Sequence, residues 1–231
     1  MQKICNFILA ILKWPLALFM VYAFLPTLNA DIQMVQQTFN SEFFMNFVFP
    51  LIGMICLWFF IPGMSGAHLS IFEHELTHML AAILTFHRPM SMKIEVDRGG
   101  SFGYYGRGNW FITLAPYFIP TFPVCIIIFG IIWRHFHGEM PSFLIPVLGL
   151  MFGYHLASNF SQIHTEQSDF PKAGWLFSIL FLPTANLIVF ALVWAFAVKE
   201  WAGISGWSAI WIKNLQEFSE TFLNNYLAIR S

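Results

Sequence analysis

Residues 74–78 read His-Glu-Leu-Thr-His. On a helix, two histidines four residues apart stand on one face about a turn from each other. Both imidazoles then reach one tetrahedral Zn²⁺. Glu75 stands beside them, where its carboxylate can take a proton from a water held by the ion, and zinc brings the pKa of such a water towards ~7. Catalytic zinc sites usually take three protein ligands. His155, Asn159, Gln162, Glu166 and Asp169 recur at helical spacing further along. If one helix ran through them they would form a single polar stripe, ended by Phe170-Pro171. Among them His155 offers an imidazole, and Glu166 and Asp169 offer carboxylates. Glu73, His68 and His87 read as hydrogen-bonded polar residues rather than ligands.

The elements that must position these groups are apolar. The chain has 231 residues, of which 10% are charged and 58% hydrophobic, with 28 Phe and 9 Trp. A soluble domain carries about 25% charged residues and cannot hide this much apolar surface. The net charge of −1 provides no basic field for phosphates, which excludes a nucleic-acid partner. The composition is that of an integral, multi-pass membrane protein whose contacts are with the lipid bilayer.

Spans need about 20 apolar residues. On that rule the expectation is an all-α polytopic chain of about six transmembrane helices: Ile4–Leu28, Phe43–Pro62, Ala67–Phe86, Trp110–Trp133, Ser142–Phe160 and Gly174–Val198. Pro116, Pro120 and Pro123 predict kinks or an unwound stretch in the fourth. The first is read as a retained helix and not a cleaved signal, because Leu28 is a poor match to a small-residue cleavage site. From Ser91 to Tyr105 apolar and polar residues alternate around Gly99-Gly100, which predicts a small membrane-associated β-hairpin over 91–106. In the tail, Trp207, Trp211, Leu215, Phe218, Phe222 and Ile229 fall near helical spacing with Lys213, Glu217 and Glu220 between them. This predicts a C-terminal amphipathic helix on the membrane surface, with docking to a partner as the alternative. The organisation is thus 1–66 N-terminal helices, 67–200 catalytic membrane core and 201–231 C-terminal helix. Arg88, Lys93, Arg98 and Arg107 favour a cytoplasmic hairpin, whereas Lys3 favours a cytoplasmic N-terminus. Cys5, Cys56 and Cys125 lie in apolar runs and form no metal or disulfide pattern.

In this setting depth matters. His78 lies about ten residues from its helix end, roughly 15 Å down at 1.5 Å per residue. Asp169, at the end of a regular fifth helix, would sit too shallow to join it, and His155 or Asn159 would match better. The conflict vanishes if Ser161 to Ser168 is unwound and folded back, which is tolerated where backbone lines a cavity.

A membrane His-Glu-x-x-His helix, followed by a Gly-rich hairpin and an Asp on a later segment, resembles the site-2 protease family of intramembrane zinc metalloproteases. The resemblance covers roughly Ala67 to Ala185. It implies His74, His78 and Asp169 as zinc ligands and Glu75 as the catalytic base. Asn159 would contribute to substrate or oxyanion binding. It also implies a transmembrane protein substrate, paired as an added strand along Met92 to Val96, with Ile94 in contact. Gln167-Ser168-Asp169-Phe170-Pro171 departs from the family's Leu-Asp-Gly pattern and is closer to divergent bacterial members, which implies a bacterial inner membrane. There is no room for a PDZ-like domain. One alternative is a CAAX-type prenyl-protein protease, with Glu166 as third ligand. Another is a non-proteolytic scaffold or adaptor.

Overall fold

The computed structural model describes residues 1–61, 67–95, 99–162 and 168–230. In chain order the elements are α1 (Gln2–Thr38), α2 (Ser41–Phe43), a π-helical turn (Phe44–Val48), α3 (Phe49–Phe60) and α4 (Ala67–Leu84). Strands β1 (Pro89–Glu95) and β2 (Gly99–Tyr104) follow. Then come α5 (Trp110–Leu114), a 3₁₀ turn (Ala115–Tyr117), α6 (Thr121–His137), α7 (Leu144–Gln162), α8 (Asp169–Ala173) and α9 (Trp175–Arg230).

Among the described residues, α1 and α9 are long and apolar enough to cross a membrane. A third span results if Trp110–Tyr117 and Thr121–His137, bent by 83°, are counted together. Phe44–Phe60 is a shorter apolar helix. At 18 and 19 residues, α4 and α7 have the length of a span, but they carry the polar residues of the site. The 83° bend falls on the proline-rich stretch, where Pro116 and Pro120 each remove a backbone donor from the helical ladder. Large apolar side chains such as Ile4, Phe7, Ile11, Leu18, Val21 and Leu25 are exposed along α1, a band that suits hydrocarbon and not water.

The last helix is two helices. Backbone angles leave the helical region at Lys199 and Glu200, and an Arg134–Glu200 ion pair ties this break to the end of α6. Side-chain hydrogen bonds define the direction of each half. Lys13 donates to the Ala173 carbonyl, Thr184 to the Met20 carbonyl and Trp194 to Thr38, so the first half runs parallel to α1. Trp211 donates to Thr27 and Trp207 to Asp31, while Tyr22 donates to the Leu215 carbonyl, so the second half runs back antiparallel. The tail is amphipathic as expected, with exposed Lys213 and Glu217 paired on its outer side. Its inner edge packs within the chain: Trp207 is buried, and Phe218 packs edge-on against Tyr22. Indole and hydroxyl partners on α1 satisfy this edge within the chain.

Close approach between α3 and α7 depends on Gly149 and Gly153, four residues apart. A Cβ on either would collide with the carbonyl of Phe47 or Leu51. Small residues at this spacing let membrane helices pack backbone to backbone. This packing holds α7 against the bundle, and with it Ser158, Asn159 and Gln162 near α4.

Candidate active site

Helix α4 brings His74, Glu75 and His78 into the interior, each at most 9% exposed. The third group arrives on α8. Helix α7 is described to Gln162, and Asp169 opens a separate short helix after a bend at Ser168, so Asp169 is not carried on α7; residues 163–167, most of the stretch expected to be unwound, lie outside the described residues. Pro171 lies in the first turn of α8, where its missing N–H is tolerated. Phe170-Pro171 therefore opens a helix instead of ending one. Phe170 anchors α8 by packing on Tyr117 and Trp175, with ring centroids 4.6 and 5.0 Å away.

This packing carries Asp169 to the histidines. Asp169 Oδ2 lies 3.3 Å from His74 Nε2 and 3.4 Å from His78 Nε2, and the two Nε2 atoms are 3.1 Å apart. Tetrahedral zinc with bonds of about 2.0–2.1 Å has ligand atoms roughly 3.3 Å apart, so the three atoms have the spacing of one face of such a site. The surroundings fit a cation as well. His78 Nδ1 donates to the Ile112 carbonyl at 2.7 Å, which leaves the Nε2 lone pair free, as a metal-ligating histidine requires. Tyr117 donates its hydroxyl to Asp169 Oδ2 at 3.1 Å, orienting the carboxylate. Lone pairs crowded this closely in a buried place repel one another unless a cation or protons lie between them.

Glu75 lies on the wall of a cavity of about 290 Å³, together with His74, His78, Asp169, Gly100 and Tyr104. In the antiparallel hairpin Ile94 pairs with Gly100 and Met92 with Phe102. The strand that lines this cavity is β2. Ile94, on β1, is exposed and does not line it, because β2 is the strand laid over Glu75; Val96 lies outside the described residues. The seat is tight: a Cβ on Gly100 would come within 2.5 Å of Glu75 Cγ and Oε1, and 2.6 Å of Ile71. Gly100→Ala is therefore expected to push Glu75 aside. A shift of about 1 Å at a reacting group costs on the order of 100-fold. Turnover should fall by that order with bound zinc unchanged, read from kcat and metal content on the same preparation.

Asn159 is placed elsewhere. Its amide lies 3.3 Å from His155 Nε2, and His155 Nδ1 lies 3.7 Å from Glu73. These groups line a separate small space with His74, Ser158 and Gln162. Neither His155 nor Asn159 joins the three grouped atoms. Glu166 lies outside the described residues. His87 bonds Thr85 and the Arg107 carbonyl, and Glu73 accepts from the Phe122 N–H, so both are hydrogen-bonded polar residues. Sequence reasoning missed Tyr117, the Ile112 carbonyl and Gly100. The Ala115-Pro116-Tyr117 stretch, flagged as irregular, was a usable signal for the first. A main-chain carbonyl and a contact glycine leave none.

Neither a curated protein nor a solved structure matches the chain significantly. Residues 51–163 match the family model described as Peptidase M50B-like, and this match supports a site-2 protease-like family for the chain.

Proposed function

We propose that the chain is an intramembrane zinc metalloendopeptidase, a multi-pass protein of about six spans that hydrolyses peptide bonds of transmembrane protein substrates. The convergence of His74, His78 and Asp169 in the cavity that Glu75 lines carries this reading. The family match, to a membrane metalloprotease family, supports it.

His74, His78 and Asp169 would hold the ion. Bound there, zinc supplies Lewis acidity and lowers the pKa of water. The chain's own residues do the rest. Glu75 takes the proton of the attacking water and returns it to the leaving amine. The Ile112 carbonyl fixes the His78 tautomer, and the Tyr117 hydroxyl holds Asp169 in line. Strand β2, laid over Glu75, limits bulk water at the base, which strengthens the charge interactions there.

Stripping metal from the purified full chain in lipid nanodiscs should abolish cleavage of a reconstituted transmembrane substrate, and one equivalent of zinc should restore it. Cleavage that persists in the metal-free protein would overturn the reading, and a chain that binds zinc without cleaving any membrane substrate would be a scaffold.

A further inference from the structure

The cavity at Glu75 continues beyond the metal site. A second cavity of about 410 Å³ shares Tyr104, Thr113 and Lys172 with it and extends to Asn6, Lys13 and Asn109 on the far side. The two form one groove, with the reacting centre at one end.

The polar groups of the far end differ in what they have left to offer. Asn109 donates to Asn6 Oδ1 at 2.8 Å and caps α5 through the Ile112 N–H, and Asn6 donates to the Arg107 carbonyl at 2.7 Å. These amides are satisfied within the chain. The two ammonium groups keep donors to spare. Lys13 uses one of its three donors on the Ala173 carbonyl at 2.7 Å, and lies 5.1 Å from the Phe177 ring and 5.6 Å from the Trp14 ring. Among the described residues no carboxylate lies within 4.0 Å of it. Lys172, largely exposed, bonds Ser168 Oγ at 2.8 Å and makes a long ion pair with Asp169 Oδ1 at 3.9 Å, which leaves donors free to face the groove. Among the described residues the carboxylates that line the groove, Glu75 and Asp169, sit at the metal end. Lys13, a cation on an apolar helix with no anion beside it among the described residues, marks a functional site by default, and an ammonium is a point charge suited to a carboxylate.

Resting on the protease reading of the same groove, we infer that Lys13 and Lys172 form a subsite for a substrate carboxylate, set to one side of the scissile bond. The residues act on specificity and binding, not on the bond itself. The carboxylate comes from an acidic side chain of the substrate or from a peptide terminus.

The test uses the zinc-loaded full chain carrying Glu75→Gln, in nanodiscs, so that binding is read without turnover. The probes are fluorescent apolar peptides carrying one Glu, Gln or Lys at successive positions, each with a free or an amidated C-terminus. At one position the Glu peptide should bind about tenfold tighter than the Gln peptide. Adding Lys13→Gln and Lys172→Gln should erase the difference, and Lys172→Glu, at an exposed position that leaves the fold intact, should shift preference towards the Lys peptide. A preference that follows the free C-terminus instead assigns the carboxylate to the chain end. Equal affinity for Glu, Gln, Lys and both termini overturns the subsite. Cleavage of the same peptides by the unsubstituted chain is measured in parallel: its absence would count against the protease reading, and the binding preference would still stand or fall on its own.

Discussion

Glu75→Gln is expected to abolish proteolysis, by about 10²–10⁴-fold, while the chain stays folded and keeps its zinc. The substitution replaces one carboxylate oxygen by an amide nitrogen and leaves the outline of the side chain unchanged. Its contact with Gly100 on β2 is therefore retained, as is the wall that Glu75 contributes to the cavity. His74, His78 and Asp169 are untouched, so metal content should match the unsubstituted protein. What is lost is the ability to accept a proton from the attacking water and to pass it on. The measurement pairs cleavage of a co-expressed membrane substrate with zinc stoichiometry on the purified protein. Cleavage that survived the change would sink the protease reading.

Asp169→Ala carries the second large effect. Removing a partner that merely orients a zinc ligand typically costs 10- to 100-fold in affinity. Removing a ligand itself should cost more than ~100-fold, and bound zinc should fall to near zero after dialysis against micromolar free metal. Two neutral imidazoles then remain, with no carboxylate to offset the charge of the ion. Glu166→Ala, by contrast, should retain zinc. Zinc kept by Asp169→Ala and lost by Glu166→Ala would shift the assignment to the CAAX-type arrangement. Anomalous scattering at the zinc edge on the same preparations identifies the third ligand directly.

The two substitutions probe parts of the site that differ in how far sequence reveals them. His74, Glu75 and His78 share one helix, so a 3.6-residue period is enough to place them together, and their cost in an apolar helix sets them apart from ordinary polar residues. The β-hairpin was legible for a similar reason: alternation about Gly99-Gly100 is local, and the strands form at Pro89–Glu95 and Gly99–Tyr104. The bend near Pro116 was legible because proline acts on its own backbone.

Asp169 was harder. Its spacing from His155 is also helical, and periodicity alone could not decide between one long stripe and a break. Tertiary packing decided it: Phe170 is held between Tyr117 and Trp175, and this turns α8 back towards α4. The packing of the tail on α1 was not legible for a related reason. Trp207, Trp211 and Phe218 form an apolar edge whether it faces lipid or another helix, and only the return of the chain at Lys199-Glu200 sets it against α1. Strand choice followed the same rule, since either edge of the hairpin could have covered Glu75, and Gly100 allows β2 to do so.

By itself the sequence pointed to the membrane class and grouped the proposed ligand pair with the proposed base, because these rest on composition and on contacts between residues a few positions apart. The third ligand's arrival, the strand over the base and the groove leading to Lys13 were decided only by the tertiary structure. Each joins residues roughly 25 to 160 positions apart in sequence, and such contacts depend on which surfaces pack best, a comparison that no local pattern encodes.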